Sequence, residues 1–246
     1  MLFTFAKYHG AGNDFIIVDD TKLKFPVKDQ NYISHLCNRR FGIGADGLIL
    51  LQPSKQADFR MRIFNSDGKE TAQCGNGLRC LADFIRQNFS QHLISIETNE
   101  TVVPCSFAGD LVHIDLGPYR WKKQGTDYDL IHTGVPHVVS FVADLDVPHF
   151  KSTAAKIRHE EDANVNYALI KEDKIFVRTY ERGVEDETLS CGTGAAAVAV
   201  AAIKKFQLKN RICIVPASKE ELYVEVKSER VQLSGPATFV FLGTIG

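Results

Sequence analysis

An eight-residue pattern occurs twice in this chain, and each time it opens an apolar, helix-like segment. Glu70–Gly77 and Glu187–Gly194 both read Glu-Thr-x-x-Cys-Gly-x-Gly, and their cysteines, Cys74 and Cys191, lie 117 positions apart (191 − 74) in a chain of 246 residues. A motif repeated at about half the length of a chain indicates two related halves.

A second, weaker match supports the same duplication. Gly12–Val18 reads Gly-Asn-Asp-Phe-Ile-Ile-Val and Gly134–Ser140 reads Gly-Val-Pro-His-Val-Val-Ser, and the two segments lie 122 positions apart (134 − 12). Both matches occur in the same order at similar offsets. We therefore predict two similar domains, each presenting one cysteine at the start of a helix, with the cysteines facing each other across a cleft.

Strand-like runs dominate the chain, and several alternate apolar with polar residues, as half-buried antiparallel strands do. The predicted strands are Leu2–Tyr8, Phe15–Asp19, Leu48–Leu51, Arg60–Phe64, Ile94–Thr98, Leu111–Leu116, Val138–Val142, Val165–Ile170, Ile175–Tyr180, Ile212–Val215, Leu222–Val226, Val231–Leu233 and Thr238–Leu242. The predicted helices are Asp29–Arg40, Gly77–Phe89, Ser152–Glu160 and Gly194–Phe206. The last is apolar on every face over its first ten residues, which is typical of a fully buried helix. The pattern predicts sheets wrapped around one central helix in each half.

The charge balance limits the partners of the protein. Lys and Arg total 29 against 30 Asp and Glu, so a broad electrostatic interaction with nucleic acid or anionic lipid is not expected. The chain also lacks the features of a signal peptide and an apolar run long enough to span a membrane, and we predict a cytoplasmic protein. Cysteines stay reduced there, so we expect the remaining four to be small core residues: Cys37, Cys80, Cys105 and Cys213.

The predicted position of Cys74 and Cys191 has a chemical consequence. A helix N-terminus carries unpaired backbone N–H groups and about half a positive charge. It therefore stabilises a thiolate and binds carboxylates. Each loop is expected to hold a reactive thiol beside an anion-binding nest.

Two classes of enzyme fit such thiols. One is an isomerase that uses the two cysteines as paired acid and base. The other is a hydrolase or acyl-transferase with a single nucleophilic cysteine and His137 as a candidate base. Inversion of a stereocentre needs one group on each face of a carbon, so a matched second cysteine favours the isomerase. A non-enzymatic redox or binding module is a third possibility. No metal site is predicted, because the cysteine and histidine spacings do not match zinc motifs.

The motifs together resemble the diaminopimelate epimerase family from end to end. The two cysteine signatures carry most of the resemblance, and three further segments are similar to the family. These segments are Phe64–Cys80, Tyr180–Ala195, His9–Phe15, Arg39–Gly47 and Asn164–Asn166.

The resemblance implies an enzyme that needs no cofactor and interconverts LL- and meso-2,6-diaminopimelate in lysine and peptidoglycan precursor synthesis. The implied fold is α+β, with two pseudo-symmetric domains over residues 1–117 and 118–236. The last strand, within residues 237–246, would complete the first domain. Family members act on a small amino-acid substrate, are usually cytoplasmic and are often homodimers.

The resemblance also implies roles for individual residues. Cys74 and Cys191 would alternate as thiolate base and thiol acid, with His137 tuning Cys74 and Glu181 tuning Cys191. The residues implied to bind the substrate through their side chains are Asn13, Asn65, Asn164, Glu181 and Arg182. Those implied to bind its reacting carboxylate through the backbone are Gly75, Asn76, Gly192 and Thr193.

The chain departs from the family at two places. Val135 stands where the family often has asparagine, which removes a polar contact to the substrate. The segment Glu181–Thr188 is one residue longer and more acidic, with Glu185 and Asp186 in the longer part. Both changes bear on specificity, so a related racemase of another amino acid, independent of pyridoxal phosphate, is the main alternative.

Overall fold

The computed structural model describes residues 2–72 and 74–246, which form two compact units. The first unit comprises Met1–Ile114 and Pro236–Gly246, and the second comprises Asp115–Gly235. The last strand of the chain therefore belongs to the unit that contains the first.

Residues 3–118 and 129–236 carry the same order of elements, namely two strands, a helix, three strands, a helix and three strands. From the N-terminus they are β1 Phe3–Gly10, β2 Asn13–Asp19, α1 Gln30–Cys37, β3 Gly47–Gln52, β4 Phe59–Asn65, β5 Glu70–Thr71, α2 Gly75–Phe89, β6 Leu93–Glu97, β7 Val102–Ala108 and β8 Leu111–Pro118. They continue with β9 Arg120–Lys123, β10 Asp129–His132, β11 Pro136–Phe141, α3 Phe150–Glu161, β12 Asn164–Lys171, β13 Lys174–Glu181, β14 Asp186–Thr188, α4 Gly192–Phe206, β15 Arg211–Val215, β16 Leu222–Lys227, β17 Arg230–Pro236 and β18 Thr238–Ile245.

Strand pairing repeats from one unit to the other. The first unit pairs β18, β1, β2, β3, β4, β6, β7 and β8 in that order, with β5 also on β4. The second pairs β9, β10, β11, β12, β13, β15, β16 and β17, with β14 also on β13. The parallel pairs β2–β3 and β4–β6 correspond to β11–β12 and β13–β15. The predicted pseudo-symmetric α+β fold with mostly antiparallel strands is confirmed.

A central helix packs inside each sheet, as predicted. Helix α2 contacts β1, β2, β3, β4, β6 and β18, and α4 contacts β10, β11, β12, β15 and β16. The run from Ala195 to Ala202 is buried throughout, because small side chains allow strands to approach the helix from several sides. Both helices begin two residues earlier than predicted, at Gly75 and Gly192. Each cysteine is therefore the N-cap residue rather than part of a preceding loop.

The other two helices cover the sheets on the face opposite the central helices. Helix α1 packs Ile33 and Leu36 against Ile16 and Leu48 in one apolar cluster, and α3 packs Phe150 in another. Asp29 caps α1 as predicted, accepting a hydrogen bond from the backbone N–H of Tyr32. Helix α1 ends at Cys37 instead of Arg40, because Asn38 adopts an extended conformation. Helix α3 is slightly longer than predicted.

Candidate active site

Cys74 lies at the N-terminus of α2, where its backbone is extended and its carbonyl accepts from the N–H of Leu78. Its thiol is half-buried and donates to Asn13 Oδ1 at 3.6 Å. The same oxygen accepts from Asn76 Nδ2 at 3.3 Å. The amide of Asn13 thus joins the cysteine to the first turn of the helix.

A buried arginine, Arg79, orients the side chain of Asn76, and the sequence alone did not indicate this role. Arg79 is fully buried, and its Nη2 donates to Asn76 Oδ1 at 3.0 Å, while its Nε donates to the carbonyl of Pro236 at 3.3 Å. Because Oδ1 accepts from Arg79, the amide nitrogen of Asn76 is directed to Asn13. Arg79 lies two residues beyond the repeated loop, and the second copy has Ala196 at the matching position, so the repeat gave no signal for it.

A cluster of four charged side chains supports Asn13 from the other side. Asn13 Nδ2 donates to Asp46 at 2.7 Å, and Arg39 pairs with both Asp46 and Asp14. Lys7 donates to Asp14 at 2.7 Å and also to the carbonyl of Gly44. Burial of Asp14 opposes its ionisation, but hydrogen bonds from Arg39 and Lys7 outweigh it and hold the pKa of Asp14 well below its usual range.

Cys191 is the matching N-cap residue of α4 and is also half-buried. Its Sγ lies 3.4 Å from Thr193 Oγ1 and forms a hydrogen bond with the Glu181 carboxylate. Burial raises the pKa of Cys191 well above its usual value, and the negative charge of Glu181 raises it further. Hydrogen bonds from the Thr193 hydroxyl and the Gly194 backbone lower this pKa.

His137 is fully buried in the second unit, beside the start of α4. Its Nε2 lies 2.9 Å from Thr193 Oγ1 and its Nδ1 lies 3.2 Å from Asn166 Nδ2. Burial lowers the pKa of His137 to about 3, and His132 and Arg182 add smaller shifts in the same direction. The imidazole is therefore neutral at physiological pH. Its expected effect on Cys74, which belongs to the other unit, stays a prediction.

The remaining predicted substrate-binding side chains lie at strand ends. Asn65 is exposed at the end of β4. Asn164, at the start of β12, donates to the carbonyl of Pro136 and accepts from the backbone N–H of Arg182 at 2.8 Å. The guanidinium of Arg182 donates to the carbonyl and carboxylate of Asp162. Asn164 thus positions the strand end that carries Arg182.

The acidic residues of the longer segment turn towards α3. Glu185 pairs with Arg158 at 2.7 Å and accepts from the backbone N–H of Gly183. Asp186 pairs with Lys151 at 2.7 Å. Both added charges are therefore partnered within the second unit.

The other four cysteines differ from the two at the helix starts. Cys37, Cys80 and Cys105 are buried as expected, whereas Cys213 is half-buried. Burial raises the pKa of Cys37 to about 11 and that of Cys105 to about 12, which makes their thiols unreactive at neutral pH.

Two other kinds of feature are absent from residues 2–72 and 74–246. No group of three or more His, Cys, Asp or Glu side chains there is placed to hold a metal ion. No helix in the same ranges has the length and apolar character needed to cross a membrane.

Comparison with known proteins places this chain in a family. The chain matches the family model described as diaminopimelate epimerase over residues 5–122 and 130–240. A diaminopimelate epimerase of Campylobacter lari is 40% identical, covering 96% of this chain and 96% of the relative. One of Archaeoglobus fulgidus is 36% identical, covering 100% of this chain and 97% of the relative.

Solved structures share the fold at lower identity. A putative phenazine biosynthesis PhzC/PhzF protein of Clostridium difficile superposes with a TM-score of 0.79 at 14% identity, covering 99% of each chain. A hydroxyproline epimerase of Agrobacterium vitis, with bound trans-4-hydroxy-L-proline, has a TM-score of 0.70 at 13% identity, over 99% of this chain and 91% of that one. The protein is an isomerase, as predicted. The chain belongs to the diaminopimelate epimerase family.

Proposed function

We propose that the protein interconverts LL- and meso-2,6-diaminopimelate by proton transfer at one α-carbon, with Cys74 and Cys191 as the acid–base pair. The observation that carries the proposal is the duplication of the cysteine site. Each cysteine is the N-cap residue of a central helix, at the same place in the strand order of its unit. The reaction belongs to lysine and peptidoglycan precursor synthesis. Both units are proposed as the epimerase domains predicted over residues 1–117 and 118–236.

In this mechanism one cysteine removes the α-proton as a thiolate, and the other, as a thiol, donates a proton to the same carbon. The α-hydrogen of an amino acid is very weakly acidic, so the negative charge developing on its carboxylate must be stabilised. We propose that backbone N–H groups of the helix starts bind this carboxylate: Gly75, Asn76, Gly192 and Thr193. No cofactor takes part in the proposed reaction.

The proposed roles of the polar side chains follow the family pattern. Asn13, Asn65, Asn164 and Arg182 hold the carboxylates and amines of the substrate, while Glu181 contacts the substrate and tunes Cys191. The hydrogen bond that the Cys74 thiol donates to Asn13 and the one that the Cys191 thiol donates to the Glu181 carboxylate support these roles. The proposed role of His137 is to tune Cys74.

An isotope experiment tests the reaction class and the substrate together. The purified protein, incubated with LL-diaminopimelate in D₂O under reducing conditions, is expected to form the meso isomer with deuterium at the α-carbon, without added cofactor. Nuclear magnetic resonance follows the incorporation of deuterium, and chiral chromatography follows the formation of the meso isomer. The same assay is run with a panel of L-amino acids that includes L-proline and trans-4-hydroxy-L-proline.

Two outcomes would contradict the proposal. Turnover of another amino acid in preference to diaminopimelate would identify a related racemase, for which Val135 is the first residue to examine. Full activity of oxidised protein would rule out two working thiols. The requirement for reduced thiols is also the reason why we propose a cytoplasmic location.

We further propose that the protein is a homodimer assembled through β18. This strand pairs with β1 along one edge and exposes four consecutive large apolar residues: Phe239, Val240, Phe241 and Leu242. Leu2, before β1, is 75% exposed. An uncharged apolar strand is typical of an interface, and a second copy of the same strand is complementary to it across a two-fold axis.

A charged side chain introduced on β18 is expected to dissociate the dimer into monomers. Val240→Lys should give a particle of monomer mass by analytical ultracentrifugation, with an unchanged far-ultraviolet circular dichroism spectrum. Val184→Lys, at a residue that is 57% exposed in the second unit, is the matched control and should leave the dimer intact. A wild-type protein that sediments as a monomer at micromolar concentration would overturn the assignment.

A further inference from the structure

Three buried polar side chains lie beneath the start of α4, and the fold does not require them to be polar. His137, Asn166 and Thr179 are all buried, on β11, β12 and β13. Thr179 Oγ1 donates to Asn166 Oδ1 at 3.0 Å, and Asn166 Nδ2 lies within hydrogen-bonding distance of His137. Buried polar groups cost free energy unless they are hydrogen-bonded, and replacing a hydrogen-bonded set by apolar groups of the same shape can be nearly neutral for stability.

The first unit has apolar residues at the three matching positions. By strand register, Asn166 matches Ile49 and Thr179 matches Ile63. The two residues of each unit pair with each other across neighbouring strands. The residue on β2 that matches His137 in the parallel pair is Phe15.

Contacts at the helix starts agree with this correspondence. A methyl group placed on Gly77 would lie 3.0 to 3.5 Å from side-chain atoms of Ile49, Ile63 and Phe15. One placed on Gly194 would lie 2.5 Å from Asn166 Oδ1. The first unit therefore forms the same strand and helix packing around apolar residues, so the fold by itself does not require the polar residues of the second unit.

Hydrogen bonds determine which ring nitrogen of His137 carries the proton. Asn166 Nδ2 donates to the carbonyl of Val138 at 2.9 Å, which fixes the orientation of the amide. The same Nδ2 points its second hydrogen at His137 Nδ1, so Nδ1 accepts and the proton of the neutral ring is on Nε2. Nε2–H then donates to Thr193 Oγ1 at 2.9 Å. This leaves the Thr193 hydroxyl proton available for Cys191 Sγ, 3.4 Å away.

We infer that Asn166 is a positioning residue that acts through His137 and Thr193 to direct a hydroxyl hydrogen bond at Cys191, stabilising its thiolate form. The inference rests on the proposed role of Cys191 as an acid–base group. Glu181 opposes the effect, because its carboxylate favours the protonated thiol. His132 and Arg182 act electrostatically on the imidazole, and both favour its neutral form.

The test follows the Cys191 thiol directly. Alkylation by iodoacetamide is measured against pH in the intact protein, and mass spectrometry of the peptides separates Cys191 from the other cysteines. Thr193→Val and Asn166→Ile are each expected to raise the pKa of Cys191, Thr193→Val by about one to two units, as for loss of a hydrogen bond to a charged group. Asn166→Ile installs the residue that the first unit carries at the matching position.

Three controls separate positioning from general structural damage. Thr193→Ser keeps the hydroxyl and should retain the wild-type pKa of Cys191. Cys213, a half-buried cysteine on β15 that is followed in the same samples, should keep its alkylation profile. The double variant Asn166→Ile/Thr193→Val should shift Cys191 no further than Thr193→Val alone, since both changes act through one hydroxyl.

Nitrogen-15 NMR of the histidine rings tests the first step of the relay. Wild-type His137 should carry its proton on Nε2 from neutral pH down to the limit of acid stability, and Asn166→Ile should populate the other tautomer. An Nδ1 proton in the wild-type protein would overturn the inference, as would additive shifts in the double variant. None of these measurements requires turnover, so a failure of the proposed epimerase activity would be seen separately.

Discussion

Cys191→Ala is expected to lower the epimerisation rate of LL-diaminopimelate by about 10²–10⁴-fold, the contribution typical of a positioned acid–base group. Cys74→Ala should cost a similar factor. Each variant loses the group that serves one face of the α-carbon, and water is a poor substitute for an oriented thiol. Chiral chromatography of the product under reducing conditions measures the loss.

Isotope exchange makes this prediction sharper. A variant that retains one cysteine can still remove a proton and return a solvent proton to the same face. Each single variant should therefore exchange the α-hydrogen of one stereoisomer without inverting it, and the two variants should act on opposite stereoisomers. Cys213→Ala is the matched control, because Cys213 is also half-buried in the second unit but lies on β15. Its activity should stay at the wild-type level.

Full turnover by Cys191→Ala would contradict the two-thiol mechanism and support an enzyme with a single nucleophilic cysteine. Exchange of the same stereoisomer by both variants would contradict the assignment of one cysteine to each face. The two results are distinct, because the first concerns whether Cys191 is needed and the second concerns where it acts.

The duplication could be found from sequence because short contiguous segments carry it. Glu70–Gly77 and Glu187–Gly194 share a glutamate, a threonine, a cysteine and two glycines at a helix start, and the apolar runs that follow indicate buried helices. The central helices were therefore predicted to within two residues at their starts. Short strands with few apolar residues, such as β5 and β14, were missed because two or three residues carry no periodicity.

Partnerships between distant residues could not be predicted in the same way. Asn166 was visible only as part of a family-like segment, and nothing local indicates that it meets His137 across a parallel strand pair or Thr179 across an antiparallel one. The support of Asn13 by Asp46 likewise joins residues 33 positions apart. Such contacts depend on strand register, which is set by the whole sheet.

The charged cluster behind Asn13 leads to the largest expected effect on stability. Lys7→Met should lower the free energy of unfolding by about 3 kcal/mol at neutral pH, because it leaves a largely buried carboxylate with fewer partners. The side chains of Lys7 and Asp14 are only 9% and 17% exposed. Urea denaturation followed by circular dichroism measures the difference.

Arg39→Met provides the matched control at the other side of the same carboxylate. Arg39 also pairs with Asp14, but its side chain is 57% exposed, so its ion pairs are screened by water. Its loss should cost less than about 1 kcal/mol. Equal losses from the two substitutions would contradict the view that the buried Lys7 dominates the cluster.

The stability difference between wild type and Lys7→Met should change with pH in a definite direction. In the folded protein the pKa of Asp14 lies below the usual value of 3.8, so its partners contribute stability above that pH and lose it as the pH falls. Lys7→Met weakens this depression of the pKa. The stability gap between wild type and variant should therefore be constant from pH 7 to about pH 5 and narrow as the carboxylate protonates below about pH 4. A gap that widens on acidification would show that Lys7 acts on the fold through contacts other than its ion pair with Asp14.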